Sequence, residues 1–183
     1  MNSHFDLIAR FYDRVIPFVR LEQVLRVLDL PRAASLLDAG GGTGRVAEAL
    51  RPHLDWVVVA DVSREMLAQA HQRDLVVTST ATEHLPFPDG TFDRVLMVDA
   101  LHHVADQAQT IRELYRVLKV GGRLVIDEPD VRTFSVKLLA LAEKLALMRS
   151  HFLAPPQIAR LFPSEARVRI ETEEYTAWVI AEK

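Results

Sequence analysis

Leu36-Leu37-Asp38-Ala39-Gly40-Gly41-Gly42-Thr43-Gly44-Arg45 decides how this chain is read: an apolar strand ends in a carboxylate and runs straight into a turn packed with glycine. Glycine tolerates positive φ and carries no Cβ, so a ligand can lie against bare backbone along Gly40, Gly41, Gly42 and Gly44. The following Arg45-Val46-Ala47-Glu48-Ala49-Leu50 is a good helix former. Unpaired amides at the start of that helix are expected to point at the ligand.

Outward from this turn, strand-like and helical runs alternate. Strands are expected over 35–39, 56–61, 75–78, 94–98 and 123–127, several of them nearly continuous Val, Leu and Ile, as strands buried on both faces read. Helical stretches over 44–50, 63–73, 106–118 and 133–149 separate most of them, and an amphipathic helical segment over 11–30 precedes them all. Such alternation predicts a parallel, doubly wound α/β sheet with right-handed crossovers. Near the end the pattern changes. The strand-like runs 167–171 and 175–180 lie too close together for a crossover helix and are expected to form an antiparallel hairpin.

With 183 residues the chain suits one domain with a substantial core. A net charge of -3 offers no footprint for nucleic acid. The absence of cysteine excludes disulfides, thiolate nucleophiles and Cys-ligated zinc. Neither a signal peptide nor a bilayer-spanning run is legible, so a cytoplasmic location is expected.

The ligand class turns on spacing. The dinucleotide pattern G-x-G-x-x-G/A fails when read from Gly40 but passes in its permissive form as Gly42-x-Gly44-x-x-Ala47. Tyr115-x-x-x-Lys119 adds the catalytic pair of short-chain dehydrogenases, although only about seventy residues beyond the glycines. An NAD(P)-dependent oxidoreductase is therefore the alternative. The denser Asp38-x-Gly40-x-Gly42-x-Gly44 resembles motif I of the class I S-adenosylmethionine-dependent methyltransferases. Three further blocks, in the same order, are similar to the ubiquinone/menaquinone-biosynthesis branch of that family: Leu85-Pro86-Phe87 with Asp89-Gly90 and Phe92-Asp93, then Leu101-His102-His103-Val104, then Arg116 through Ile126.

This resemblance implies a Rossmann-like three-layer sandwich, its seven-stranded, mostly parallel sheet ending in an antiparallel strand. The implied reaction is methyl transfer from S-adenosyl-L-methionine to a small-molecule acceptor by in-line displacement, leaving S-adenosyl-L-homocysteine; a non-catalytic cofactor-binding module is the third reading. Asp38 and the glycines are expected to seat the methionine end of the cofactor. Asp61, seventeen positions beyond Gly44, is placed to hold the ribose hydroxyls, with Val62 and Met66 beside it. Thr82 and Glu83 stand near adenine, where Ala81 replaces an acid common in the family; Val98 and Asp99 border the methionine amino group, and Tyr12 is a lid candidate. His102 and His103 are the candidate catalytic residues, with Asp99, Glu128 and His151 as further candidate bases. No metal is expected.

One methyltransferase domain over 1–183 is expected, with a helical cap over 1–33, a cofactor-binding core over 34–130, a helical substrate-side segment over 131–165 and the hairpin over 166–183. An excess of Leu and Ala in the substrate-side segment suggests an apolar acceptor. Monomer and homodimer both remain open.

Overall fold

In a computed structural model of the chain, which describes residues 20–133, 136 and 150–183, the apolar runs become seven strands of one sheet. These are β1 (Ser35–Ala39), β2 (Trp56–Asp61), β3 (Val76–Ser79), β4 (Phe92–Val98), β5 (Leu118–Pro129), β6 (Arg167–Glu173) and β7 (Thr176–Glu182). Their order is β3-β2-β1-β4-β5-β7-β6. The first five strands pair in parallel, and β7 runs antiparallel to both β5 and β6.

Successive residues of a strand face opposite sides, which is why these strands read as unbroken hydrophobic runs. Leu36, Val57, Val59, Leu96, Val125 and Ile180 pack on one side with α1 (Leu21–Leu28), α2 (Arg45–Leu50) and α3 (Arg64–Gln72). Leu37, Val58, Val95, Met97, Ile126 and Val179 pack on the other side with α4 (Gln107–Val117) and α5 (Pro155–Ala159). The sheet is thus the middle layer of three.

Caps set the helix limits. Ser63 accepts the Met66 amide at 3.2 Å to open α3, and Asp106 accepts the Gln109 amide at 2.9 Å to open α4. Strand β5 starts five residues earlier than expected, because Leu118 already pairs with Phe92 as α4 ends. The intervening residues 119–122 bulge out before pairing resumes at Arg94 and Arg123.

The chain runs outward from β1 to β3 and then returns to the other side of β1 as β4. That reversal opens a crevice beyond the carboxyl ends of β1 and β4, the place where an open α/β sheet binds ligands. No helix among the described residues is long and apolar enough to cross a membrane. The lid candidate Tyr12, most of the cap, and most of the stretch expected to be helical over 133–149 lie outside the described residues.

Candidate active site

A cleft of about 330 Å³ occupies that crevice. Asp38, Gly40, Gly41, Gly42, Asp61, Val62, Met66, Thr82, Glu83, Val98, Asp99 and His103 all line it, so the structure brings together nearly every residue singled out from the sequence. Gly44 stands just behind this wall. A Cβ there would come within 2.4 Å of Leu75, and its φ of +76° is left-handed, so this glycine serves the close packing of α2 on α3. Gly42 (φ +53°) is the open one: a Cβ would meet nothing nearer than Met66 Sδ at 3.8 Å.

The amides behave differently from expectation. Gly40 and Gly41 donate to the Ala60 carbonyl at 2.7 and 3.3 Å, and Gly42 donates to Asp61 Oδ2 at 3.0 Å. Ala47, in the first turn of α2, donates to Asp38. The amides of Gly40, Gly41, Gly42 and Ala47 are therefore taken up by the protein's own carbonyl and carboxylates, because β2 ends directly alongside the turn. A ligand meets these acids and the bare backbone of Gly42.

Asp38 is 1% exposed, and its Oδ2 lacks a hydrogen-bond partner. Burial, reinforced by the charge of Asp61, pushes its carboxyl up to about 7. A buried acid in this state calls for a cationic donor from the cleft. Asp61 also accepts the Ser63 amide at 2.8 Å through Oδ1, so one carboxylate fixes the glycine turn and the start of α3 together. Each of its oxygens can take more than one hydrogen bond, as a ribose diol requires.

At the opposite rim, Glu83 Oε1 accepts the amides of Ala105 and Asp106 at 2.9 and 3.2 Å, fastening the segment after β3 to the start of α4. Thr82 Oγ1 pairs with Thr110 Oγ1 at 3.1 Å. Asp99 stands at a left-handed φ of +50°, donates its amide to the Asp127 carbonyl, and has its carboxyl raised by burial and by Glu128.

The two histidines separate. Only His103 lines the cleft; His102 is 4% exposed, its Nδ1 lies 2.6 Å from Glu128 Oε2, and its ring stacks on Phe152. Glu128 is spent on that contact and on the Leu101 amide, and His151 does not line the cleft. Arg45 and Ala100 line it as well and escaped the sequence reading. For Arg45 the available signal was its position immediately after the last glycine.

The dehydrogenase pair dissolves. Lys119 bonds both carboxylate oxygens of Asp93 at 3.0 and 2.9 Å, Tyr115 is buried edge-on to Phe162, and neither lines the cleft.

Residues 37–126 match the family model described as a methyltransferase domain. The demethylmenaquinone methyltransferase of Mycolicibacterium vanbaalenii is 36% identical over 81% of this chain and 67% of its own length. That of Mycobacterium marinum is 34% identical over 96% of this chain and 77% of its own. The chain belongs to the class I S-adenosylmethionine-dependent methyltransferases. The fold of this methyltransferase agrees with solved structures. An S-adenosylmethionine-dependent methyltransferase from Thermotoga maritima superposes with a TM-score of 0.79 at 23% identity, covering 99% of both chains. A chain of the complex between the Haloferax volcanii Trm112 methyltransferase activator and a methyltransferase gives 0.84 at 18% identity, over 97% of this chain and 96% of that one. S-adenosylmethionine, which leaves as S-adenosylhomocysteine, is the cofactor of this family, and its cationic amino group suits the orphaned Asp38 oxygen.

Proposed function

We propose that this methyltransferase moves the methyl group of S-adenosylmethionine onto a small hydroxyaromatic acceptor of the quinol class, by in-line displacement. The observation that carries the reading is the division of the cleft: carboxylates Asp38 and Asp61 stand at the glycine turn, while Val98, Ala100, Val104 and Ala105 line the part beyond β4. The names of the curated relatives, which act on a demethylmenaquinone, support this acceptor class.

Asp38 and the backbone of Gly40 to Gly42 take the methionine end, with Asp99 beside its amino group. Asp61 takes the ribose hydroxyls. Val62, half exposed, and Met66 cover one side of adenine. Adenine's amino group falls to Glu83 through Oε2, since Oε1 already holds two amides. Tyr12 stays a lid candidate. Within the single domain, 131–165 forms the acceptor side; Phe152 packs against His102, and Ser150 lies 3.4 Å from His103 Nδ1.

When bound, the cofactor supplies a methyl group already activated by its sulfonium. The chain's own work is to align acceptor oxygen or carbon with that methyl and to exclude water from the apolar wall. Incubating the protein with methyl-labelled S-adenosylmethionine and a panel of a reduced naphthoquinone, a phenol, an amine and a carboxylic acid tests the proposal. Label is expected in the naphthoquinol. Transfer to the amine or acid alone would overturn the acceptor class, and cofactor binding without transfer to any of them would favour a non-catalytic module.

A further inference from the structure

Beyond the cofactor's binding groups, the described residues hold a second set of buried ionisable side chains, where β4 and β5 end. Glu128, 3% exposed, spans two partners of one short 3-10 turn, Leu101–His103. Its Oε1 accepts the Leu101 amide at 2.7 Å and its Oε2 meets His102 Nδ1 at 2.6 Å. Phe152 covers one face of the His102 ring at 4.3 Å, and His103 packs against that ring at 3.9 Å. Held on three sides, His102 is a fixed strut. What it supports is the next imidazole, which faces the cleft.

We propose that His103 is the catalytic base that takes the proton of the acceptor, and that Glu128, acting through His102, is the positioning residue that fixes and tunes it. The inference rests on the hydroxyaromatic acceptor proposed above. Elimination within the cleft points the same way. Asp38, Asp61 and Asp99 are committed to the cationic and ribose portions of the cofactor, Glu83 to backbone amides and adenine, and Arg45, already protonated, cannot take up a proton. His103 remains.

The charged and titratable groups facing His103 include His102 on its own turn, whose ring lies 3.9 Å away and which pairs with Glu128 on β5, and, lining the same cleft, Asp99 after β4, Arg45 on α2, Glu83 on the loop after β3, and Asp38 and Asp61 across it. Burial and the charge of His102 pull its imidazole down to about 4, so near neutral pH the ring is unprotonated and able to accept. In the step, the acceptor's O–H bond breaks and its proton passes to a His103 ring nitrogen. The freed electron pair stays on the acceptor, which attacks the methyl carbon, while the C–S bonding pair leaves with sulfur. The imidazolium then returns its proton to water. Negative charge growing on the acceptor favours the protonated ring at the moment it is needed.

Glu128→Gln separates tuning from support. A Gln carbonyl can still accept the Leu101 amide, so the turn keeps its tether, while the carboxylate that holds charge on His102 is gone. With that charge weakened, the His103 titration and the acid limb of the rate profile are expected to move toward neutral pH, with S-adenosylmethionine affinity within about threefold. His103→Ala is expected to lose about 10²- to 10⁴-fold in kcat, to leave a rate that climbs with pH, and to recover part of it with added imidazole. Normal kcat, or loss without imidazole rescue, would overturn the base.

A second measurement does not depend on turnover. The His103 side chain is titrated by NMR in the S-adenosylhomocysteine complex of parent and Glu128→Gln proteins. An upward shift supports the tuning role even if no quinol is methylated, which would instead sink the acceptor reading. An unchanged titration overturns Glu128 as the positioning residue whatever the acceptor.

Discussion

Asp38 and Asp61 divide the work of the glycine turn, and each is open to a direct test. Asp61 binds backbone on both oxygens, so its loss reaches the turn as well as the ligand. Asp61→Ala is expected to weaken S-adenosylmethionine binding by roughly 10- to 150-fold, the equivalent of about 1.5–3 kcal/mol for a charged acceptor, as titration calorimetry would show. Unchanged affinity would place the ribose elsewhere. Asp38 carries a pH signature. Its folded carboxyl sits at about 7 against 3.8 when unfolded, so between these values the native state binds a proton that the unfolded chain has released. Stability from this group therefore falls as pH rises from about 4 to 7, then levels off. In free protein, Asp38→Asn should resist urea better than the parent at pH 8 and about equally at pH 4, while binding S-adenosylmethionine at least about tenfold more weakly. In the parent, calorimetry in two buffers of different ionisation enthalpy near pH 6.5 is expected to register proton release on binding. A flat difference between parent and variant across pH would remove Asp38 from this role.

Among the elements, the Leu85-Pro86-Phe87 block that distinguishes the family lies outside the cleft, and the structure explains its presence through Arg116 on α4. That guanidinium donates to the carbonyls of Leu85 and Phe87 at 3.1 and 2.8 Å and to Asp89 and Glu113, while Glu113 accepts the Leu85 amide. Phe87 meets Phe92 edge-on at 5.0 Å, so the loop is pinned to β4 and α4 at once. Arg116→Ala is expected to cost about 1–3 kcal/mol, lowering the urea midpoint by roughly 0.5–1.5 M, with cofactor affinity nearly unchanged. A large loss of affinity without a midpoint shift would contradict this division of labour. The strands were legible because burial on both faces writes itself as runs of Val, Leu and Ile; Asp61 and the glycines were legible because backbone geometry fixes their spacing. The early start of β5 was not, since residues 119–122 bulge and carry no period. Nor were the bonds from Glu83 to the start of α4 or from Glu128 to His102, which join residues more than twenty apart and leave no local trace.

For the molecule as a whole, the cleft joins the two halves of the sheet, with β1 and β2 supplying one wall and the segments after β3 and β4 the other. A ligand that binds only the folded state should then raise the cooperative melting point of the entire domain. At a hundredfold excess over Kd the gain is about 2.7 kcal/mol, or roughly 5–10 °C for a chain of this size, for S-adenosylmethionine and S-adenosylhomocysteine alike. Scanning calorimetry showing no shift with either would contradict the cleft as their site. The strand order has a different consequence, in time. β7 follows β6 in the chain, yet it lies inside the sheet between β5 and β6, with Ala177 through Ala181 fully buried. Until it arrives, the open side of β5 presents unpaired amides and carbonyls beside bare Leu, Val and Ile side chains. During synthesis, the nascent polypeptide is therefore at its stickiest after β5 has emerged and before β7 has, and a chaperone or a slow stretch of translation there would act on that edge.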